Sequence, residues 1–190
     1  TSQLVKMDSA LNTGGQVRMY HIPGVTPEAP TLEAAFRGRE PAETVVIDDR
    51  DLKRVYETLN YASSPDVDFV YLGCPHYNIQ EVRKVAELVR GKRCKSPMWV
   101  MTNPLTYKAA DIAGYRAAID ETGARLMSGT CVGLMNGEMP PAKVMATDAA
   151  KQDYYITGIV HPEKLEVWYG TVEDCVSAAL TGQWSGGWRR

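Results

Sequence analysis

The sequence predicts an α/β fold: three layers, α/β/α, around a mostly parallel sheet, as one domain over residues 1–190. Two observations carry this. Short apolar runs recur along the 190 residues without strict alternation, as in strands covered on both faces. Between them lie stretches with apolar residues at helical spacing, and strands alternating with helices favour a parallel sheet with right-handed crossovers.

In chain order the predicted strands are Val17–Ile22, Thr44–Asp48, Val67–Leu72, Pro97–Met101, Ala124–Met127, Lys143–Thr147 and Leu165–Tyr169. Each is a short apolar or β-branched run bounded by polar or turn residues. Thr26 and Pro27 suit the N-cap and first-turn positions of a helix running through Thr31–Phe36. Ile79, Val82, Val85, Ala86 and Val89 form one apolar stripe, with Asn78 as N-cap and Glu81 three residues on, the spacing of a capping box. Tyr107–Glu121 is Ala-rich and predicts a helix that stops near Gly123. Val172, Cys175, Val176, Ala179 and Leu180 form a last stripe, begun by Thr171 and ended by Gly182.

Composition narrows the function classes. The chain is 44% hydrophobic and 23% charged, ordinary for a globular protein, and its formal net charge of −2 gives no reason to expect nucleic acid or an anionic membrane. No apolar run approaches the ~20 residues of a membrane span. The four cysteines lack the spacing of a disulfide framework, which points to reduced thiols in a cytoplasmic protein. The chain starts at Thr1 with its first pattern already under way, and reads as a piece of something longer.

Chemistry is expected where strands end. Gly73-Cys74-Pro75-His76-Tyr77-Asn78 follows the Val67–Leu72 strand, and Ser128-Gly129-Thr130-Cys131 follows Ala124–Met127. In open α/β sheets ligands bind at the carboxyl ends of strands, so two thiols placed alike can share a site. Nearby thiolates favour zinc or iron, yet two do not complete a four-coordinate centre, and no CxxC is present. Without a metal, His76 could activate Cys74 as a nucleophile, although i, i+2 neighbours often point apart. Cys175 sits on an apolar helical stripe and Cys94 in a charged connection at the opposite end of the sheet, so both read as bystanders.

Two further loops have similar character. Tyr20–Ala29 places His21 before a Pro/Gly turn, with Thr26 at a predicted helix start whose free N–H groups would accept a carboxylate or phosphate. Lys151 follows the Lys143–Thr147 strand, either as a surface charge or as an anion clamp or acid/base. The loop Gly133–Pro141 either covers the site or connects elements.

Taken in order, HIPGVTPEA (21–29), FVYLGCPHYN (69–78), MWVMT (98–102), GTC (129–131), KVMATDAAKQDYY (143–155) and YGTVEDCVSAALTG (169–182) resemble the large catalytic subunit of the aconitase X family of hydro-lyases. The match covers the carboxyl-terminal half of that subunit. The resemblance implies an aconitase-like domain and an iron–sulfur cluster or mononuclear iron held by three cysteines. Cys74 and Cys131 match two of them as metal ligands, and the third lies outside this chain. It further implies His76, Lys151 and His21 as catalytic residues, and Thr26, Asn78 and Thr130 as substrate contacts. Implied partners are the amino-terminal half of the large subunit, a small swivelling subunit or domain, and a small-molecule substrate. Departures fall at Gly129 and at Asp148-Ala149, where an acidic residue and an Asn-Ser pair are more usual.

The reaction implied is dehydration of a small hydroxy-carboxylate: cis-3-hydroxy-L-proline to Δ1-pyrroline-2-carboxylate, or alternatively mevalonate 5-phosphate. Eight Met, with Asn and Gln throughout, argue against a hyperthermophile origin and so for the first. Two other readings compete: a non-catalytic α/β assembly module with structural cysteines, and a metal-free Cys–His thiol enzyme.

Overall fold

The structure is a computed structural model that describes residues 2–131, 139–156 and 165–188. Its centre is a parallel five-stranded sheet built from β1 (Phe69–Tyr77), β2 (Met98–Thr102), β3 (Arg125–Ser128), β4 (Val144–Thr147) and β5 (Glu166–Tyr169), in the spatial order β3-β2-β1-β4-β5. These are five of the seven predicted strands. Helices α1 (Ser2–Gly15), α2 (Leu32–Phe36) and α3 (Asp49–Leu59) precede the sheet. Within it come α4 (Ile79–Val89), α5 (Pro104–Ile112), α6 (Tyr115–Asp120), α7 (Ala150–Tyr155) and α8 (Val172–Thr181).

The strands alternate their side chains between two cores, as a pleated sheet requires. Val70, Leu72, Val100, Leu126, Val144 and Ala146 face α4, α5, α6 and α8, whose Val82, Val85, Ala86, Cys175 and Ala179 complete that layer. Phe69, Tyr71, Met101, Met145 and Val167 face the other way, toward Ile156 at the end of α7. The result is the expected α/β/α layering.

Local signals place the helices well. Asn78 and Glu81 form the predicted capping box of α4, and Thr171 and Asp174 form one on α8, which ends at Gly182 with φ of 76°. Tyr107–Glu121 is not one helix. Asn103 caps α5 with Pro104 in its first turn, and Gly114 at φ 75° breaks the run so that α6 starts afresh. Thr26 does not cap a helix either: Thr31 does, accepting from Ala34 N–H at 3.1 Å.

Val17–Ile22 and Thr44–Asp48 are not strands, although both sequences suit one. Among the described residues no neighbouring strand hydrogen-bonds either of them. Asp48 instead serves as the N-cap of α3. Among the described residues no helix is long and apolar enough to cross a membrane.

Candidate functional site

The chain leaves β1 through α4 toward β2 and β3, but leaves β4 through α7 toward β5, on the opposite side of the sheet. The β1/β4 boundary is therefore the switch point of the sheet, where a crevice opens at the carboxyl ends of the strands. Gly73–Tyr77 and Thr147–Ala149 stand there.

β1 is irregular at this point, its register with β2 shifting between Leu72 and Tyr77. Gly73 makes the bend possible. Its φ is 95°, and a Cβ on it would lie 2.3 Å from the Met101 carbonyl oxygen, so only glycine fits. Pro75 follows through a cis peptide bond. The bend turns Cys74 half-buried onto the Met101 side of the sheet and leaves His76 exposed.

The Cys74 thiol is pushed up to about 11, chiefly by burial, with Lys151 pulling it down and Cys131 and Asp148 adding to the rise. Four groups from three separate loops thus share one electrostatic neighbourhood. His76 joins two of these loops directly: its Nε2 lies 2.9 Å from the carbonyl oxygen of Thr130, next to Cys131. That bond bridges β2, since Thr130 follows β3 and His76 belongs to β1. Cys74 and Cys131 are both free, half-buried thiols.

The other predicted residues divide. Lys151, near the start of α7, lies 5.8 Å from the Tyr155 ring centre while acting on Cys74. Asn78 is consumed by structure: its oxygen accepts from Gln80 and Glu81 N–H at 2.9 and 3.1 Å, and its amide donates to Ser2 Oγ at 2.9 Å. The Thr26 hydroxyl is closed on its own turn, accepting from Ile22 N–H at 3.1 Å and donating to Ile22 C=O at 3.2 Å. His21 is exposed, and among the described residues no hydrogen bond or ion pair brings it to the cysteines. The loop Gly133–Pro141 lies largely outside the described residues. Cys175 is fully buried in the core and Cys94 sits beside Thr122 away from the crevice, as their positions implied.

Sequence reading missed the crevice's most deeply held charge. Asp148 is 4% exposed and takes both Lys6 Nζ from α1 and the Tyr77 hydroxyl on Oδ2, while Oδ1 has no partner among the described residues. Burial and the Asp148 charge hold the Tyr77 phenol well above its ordinary range. A carboxylate just after a strand was visible in the sequence. Its partners, 142 and 71 positions away, were not. Asp148 also walls a cleft of about 1060 Å³ at the starts of α4 and α8, which Cys74 and Cys131 do not line.

Among the described residues no three His, Cys, Asp or Glu side chains converge as a complete metal site. Two sulfur donors at one sheet edge suit a soft or borderline ion, and iron held by thiolates matches that chemistry with part of its ligand set.

The family model of the aconitase X third domain matches residues 67–181, and that of the aconitase X second domain matches residues 1–57. The chain is 33% identical over 180 residues to a cis-3-hydroxy-L-proline dehydratase of Pseudomonas aeruginosa, covering 92% of this chain and 30% of that protein. It is 29% identical to the phosphomevalonate dehydratase large subunit of Methanosarcina mazei, covering 95% of this chain and 42% of that one. The crystal structure of Thermococcus kodakaraensis aconitase X in its holo form superposes with a TM-score of 0.79 at 27% identity, covering 94% of this chain and 44% of that one. The chain thus spans less than half the length of these relatives.

Proposed function

This chain belongs to the aconitase X family, and from that premise we propose that it supplies the cysteine-bearing edge of a dehydratase acting on a small hydroxy-carboxylate, with cis-3-hydroxy-L-proline as substrate. The observation that supports the reading best is the bond between His76 Nε2 and the Thr130 carbonyl, which links the Cys74 segment of β1 to the Cys131 loop after β3, with Cys131 acting electrostatically on Cys74.

Cys74 and Cys131 would hold an iron or iron–sulfur centre together with a third cysteine from outside this chain. When bound, that centre supplies Lewis-acid polarisation of a substrate hydroxyl, easing its departure as water. Both thiols must lose their protons to bind it, which the raised Cys74 value opposes until a cation compensates. His76 positions the Cys131 loop through its backbone bond rather than activating Cys74, which weakens the metal-free thiol-enzyme reading. Lys151 puts positive charge in the crevice and suits the substrate carboxylate. In the reaction the C3 hydroxyl leaves with a proton as water and the α-proton passes to a base. The resulting enamine tautomerises to Δ1-pyrroline-2-carboxylate.

Relatives named cis-3-hydroxy-L-proline dehydratase, at 33 and 35% identity, stand slightly ahead of those named phosphomevalonate dehydratase large subunit, at 28 to 32%, and the proposed substrate follows that order. The remaining parts of the enzyme would be the amino-terminal half of the large subunit and a small swivelling domain or subunit. Four free thiols suit the reducing cytoplasm.

The test is anaerobic reconstitution of this chain with those parts, followed by iron analysis and assay on both substrates. Iron with a charge-transfer absorbance, both lost in Cys74→Ser and Cys131→Ser, is expected alongside turnover of the hydroxyproline. Full turnover by an iron-free preparation would overturn the metal reading. Turnover of mevalonate 5-phosphate alone would overturn the substrate.

A further inference from the structure

Residues 2–60 carry secondary structure without a core of their own. Of this whole stretch Ala29 alone is buried, and neither α1 nor α3 contains a buried residue. Yet the sequence is not that of a solvated linker. Val45, Val46 and Ile47 are 71, 83 and 68% exposed in succession, and Val55 of α3 is 54% exposed beside them. They border an apolar groove of about 700 Å³ that continues to Tyr56, Tyr169 and Trp188. An exposed contiguous apolar strip of this kind marks an interface.

The character of the strip identifies what covers it. Thr44, Val45, Val46 and Ile47 are β-branched, the composition of a strand. Among the described residues no backbone hydrogen bond engages Val45, Val46 or Ile47, so their N–H and C=O groups are open to a neighbouring strand. In an extended chain Val45 and Ile47 point to one side and Val46 to the other. Both sides are apolar. An edge strand packed on one face would show a polar residue at one of these positions, whereas a strand covered on both faces reads as a continuous apolar run.

We infer that Thr44–Asp48 is an interior strand of a second sheet, whose flanking strands come from the remainder of the aconitase X polypeptide. The relatives have that extra chain: the match spans 30% of the Pseudomonas protein and 44% of the Thermococcus structure. A second copy of this segment would offer the same three residues to itself but leaves one face of each pair uncovered, so a foreign strand set fits better. The inference deepens the proposal that this chain completes an enzyme with an amino-terminal half. It rests on that family assembly and not on the reaction.

The experiment compares the 190-residue chain alone with the chain mixed with the separately expressed remainder of the Pseudomonas dehydratase, using sedimentation and amide hydrogen exchange. Alone, the chain sediments as a monomer and residues 45–47 exchange as an unstructured peptide does, while β1 and β2 are protected. In the mixture a complex forms and residues 45–47 gain about 100-fold protection or more. Val46→Asp, a change at an exposed position, leaves the lone chain unaltered and removes that protection. The inference is overturned by protection of residues 45–47 in a self-dimer, by failure of any complex to form, or by a complex in which they still exchange freely. It is likewise overturned if Val46→Asp leaves the protection intact. A protected but inactive complex leaves it standing and counts against the dehydratase reading instead.

Discussion

Residues 2–60 and residues 67–181 obey the same local rules and end in different physical states. Both carry well-made helix starts: Asp48 and Asp51 form a capping box on α3 as complete as that of Asn78 and Glu81 on α4. Both carry apolar runs suited to strands. In the second region those runs find each other, and Phe69, Val70, Leu72, Val100, Met145 and Val167 are fully buried. In the first, Val45, Val46 and Ile47 stay in solvent. Capping and propensity contribute at most about 1–2 kcal/mol each, while a buried core side chain contributes roughly 1.5–3 kcal/mol and many act together. Partnership across the chain separates the two regions, not local quality.

The contrast is broken hardest at the cysteines. In the reconstituted enzyme Cys74→Ser or Cys131→Ser should remove iron and lower turnover by about 100-fold or more, with exchange protection of β1 and β2 retained. Retained iron in both variants would mean that the 67–181 region is only a scaffold. Next in size, Leu72→Ala in the lone chain should cost about 2–5 kcal/mol by chemical denaturation, since the side chain is fully buried. Val46→Ala should change the same measurement by less than about 0.5 kcal/mol. Equal costs at the two sites would show that residues 2–60 own a core after all.

Gly73→Ala tests the bend that aims Cys74. Strain at positive φ together with the collision at the Met101 carbonyl should cost about 2–3 kcal/mol, and iron occupancy should fall with it. An unchanged denaturation midpoint would remove the close-packing argument. The smallest effect is expected at Cys175→Ala, about 1 kcal/mol through lost packing, with iron content unchanged. Loss of iron there, in a folded protein, would upset the division of the four thiols.

Legibility followed sequence distance. The five sheet strands, the caps of α4 and α8 and the separation of Cys74 and Cys131 from Cys94 and Cys175 were all readable, because each depends on periodicity or on position relative to a strand end. Asn78 was read correctly as a cap, and its side chain makes three hydrogen bonds, two to the start of α4 and one to Ser2 on α1, a partner no local pattern shows. Thr26 was placed at a helix start that belongs to Thr31, since both residues precede an Ala-rich turn and only the backbone path decides between them. Asp148 was noted as a departure, but its ion pair with Lys6 and its bond from Tyr77 join residues that no local pattern connects.

By itself the sequence determined the class of the fold and placed Cys74 and Cys131 toward the carboxyl ends of two of its strands. These follow from side-chain periodicity and chain direction, which neighbouring residues dictate. Only the tertiary structure decided that His76 reaches the Cys131 loop instead of Cys74, that Asp148 is buried between α1 and β1, and that Thr44–Asp48 finds no partner strand among the described residues. Strand pairing and burial are set by what lies across the fold, and a run of β-branched residues becomes a strand only where another backbone offers it hydrogen bonds.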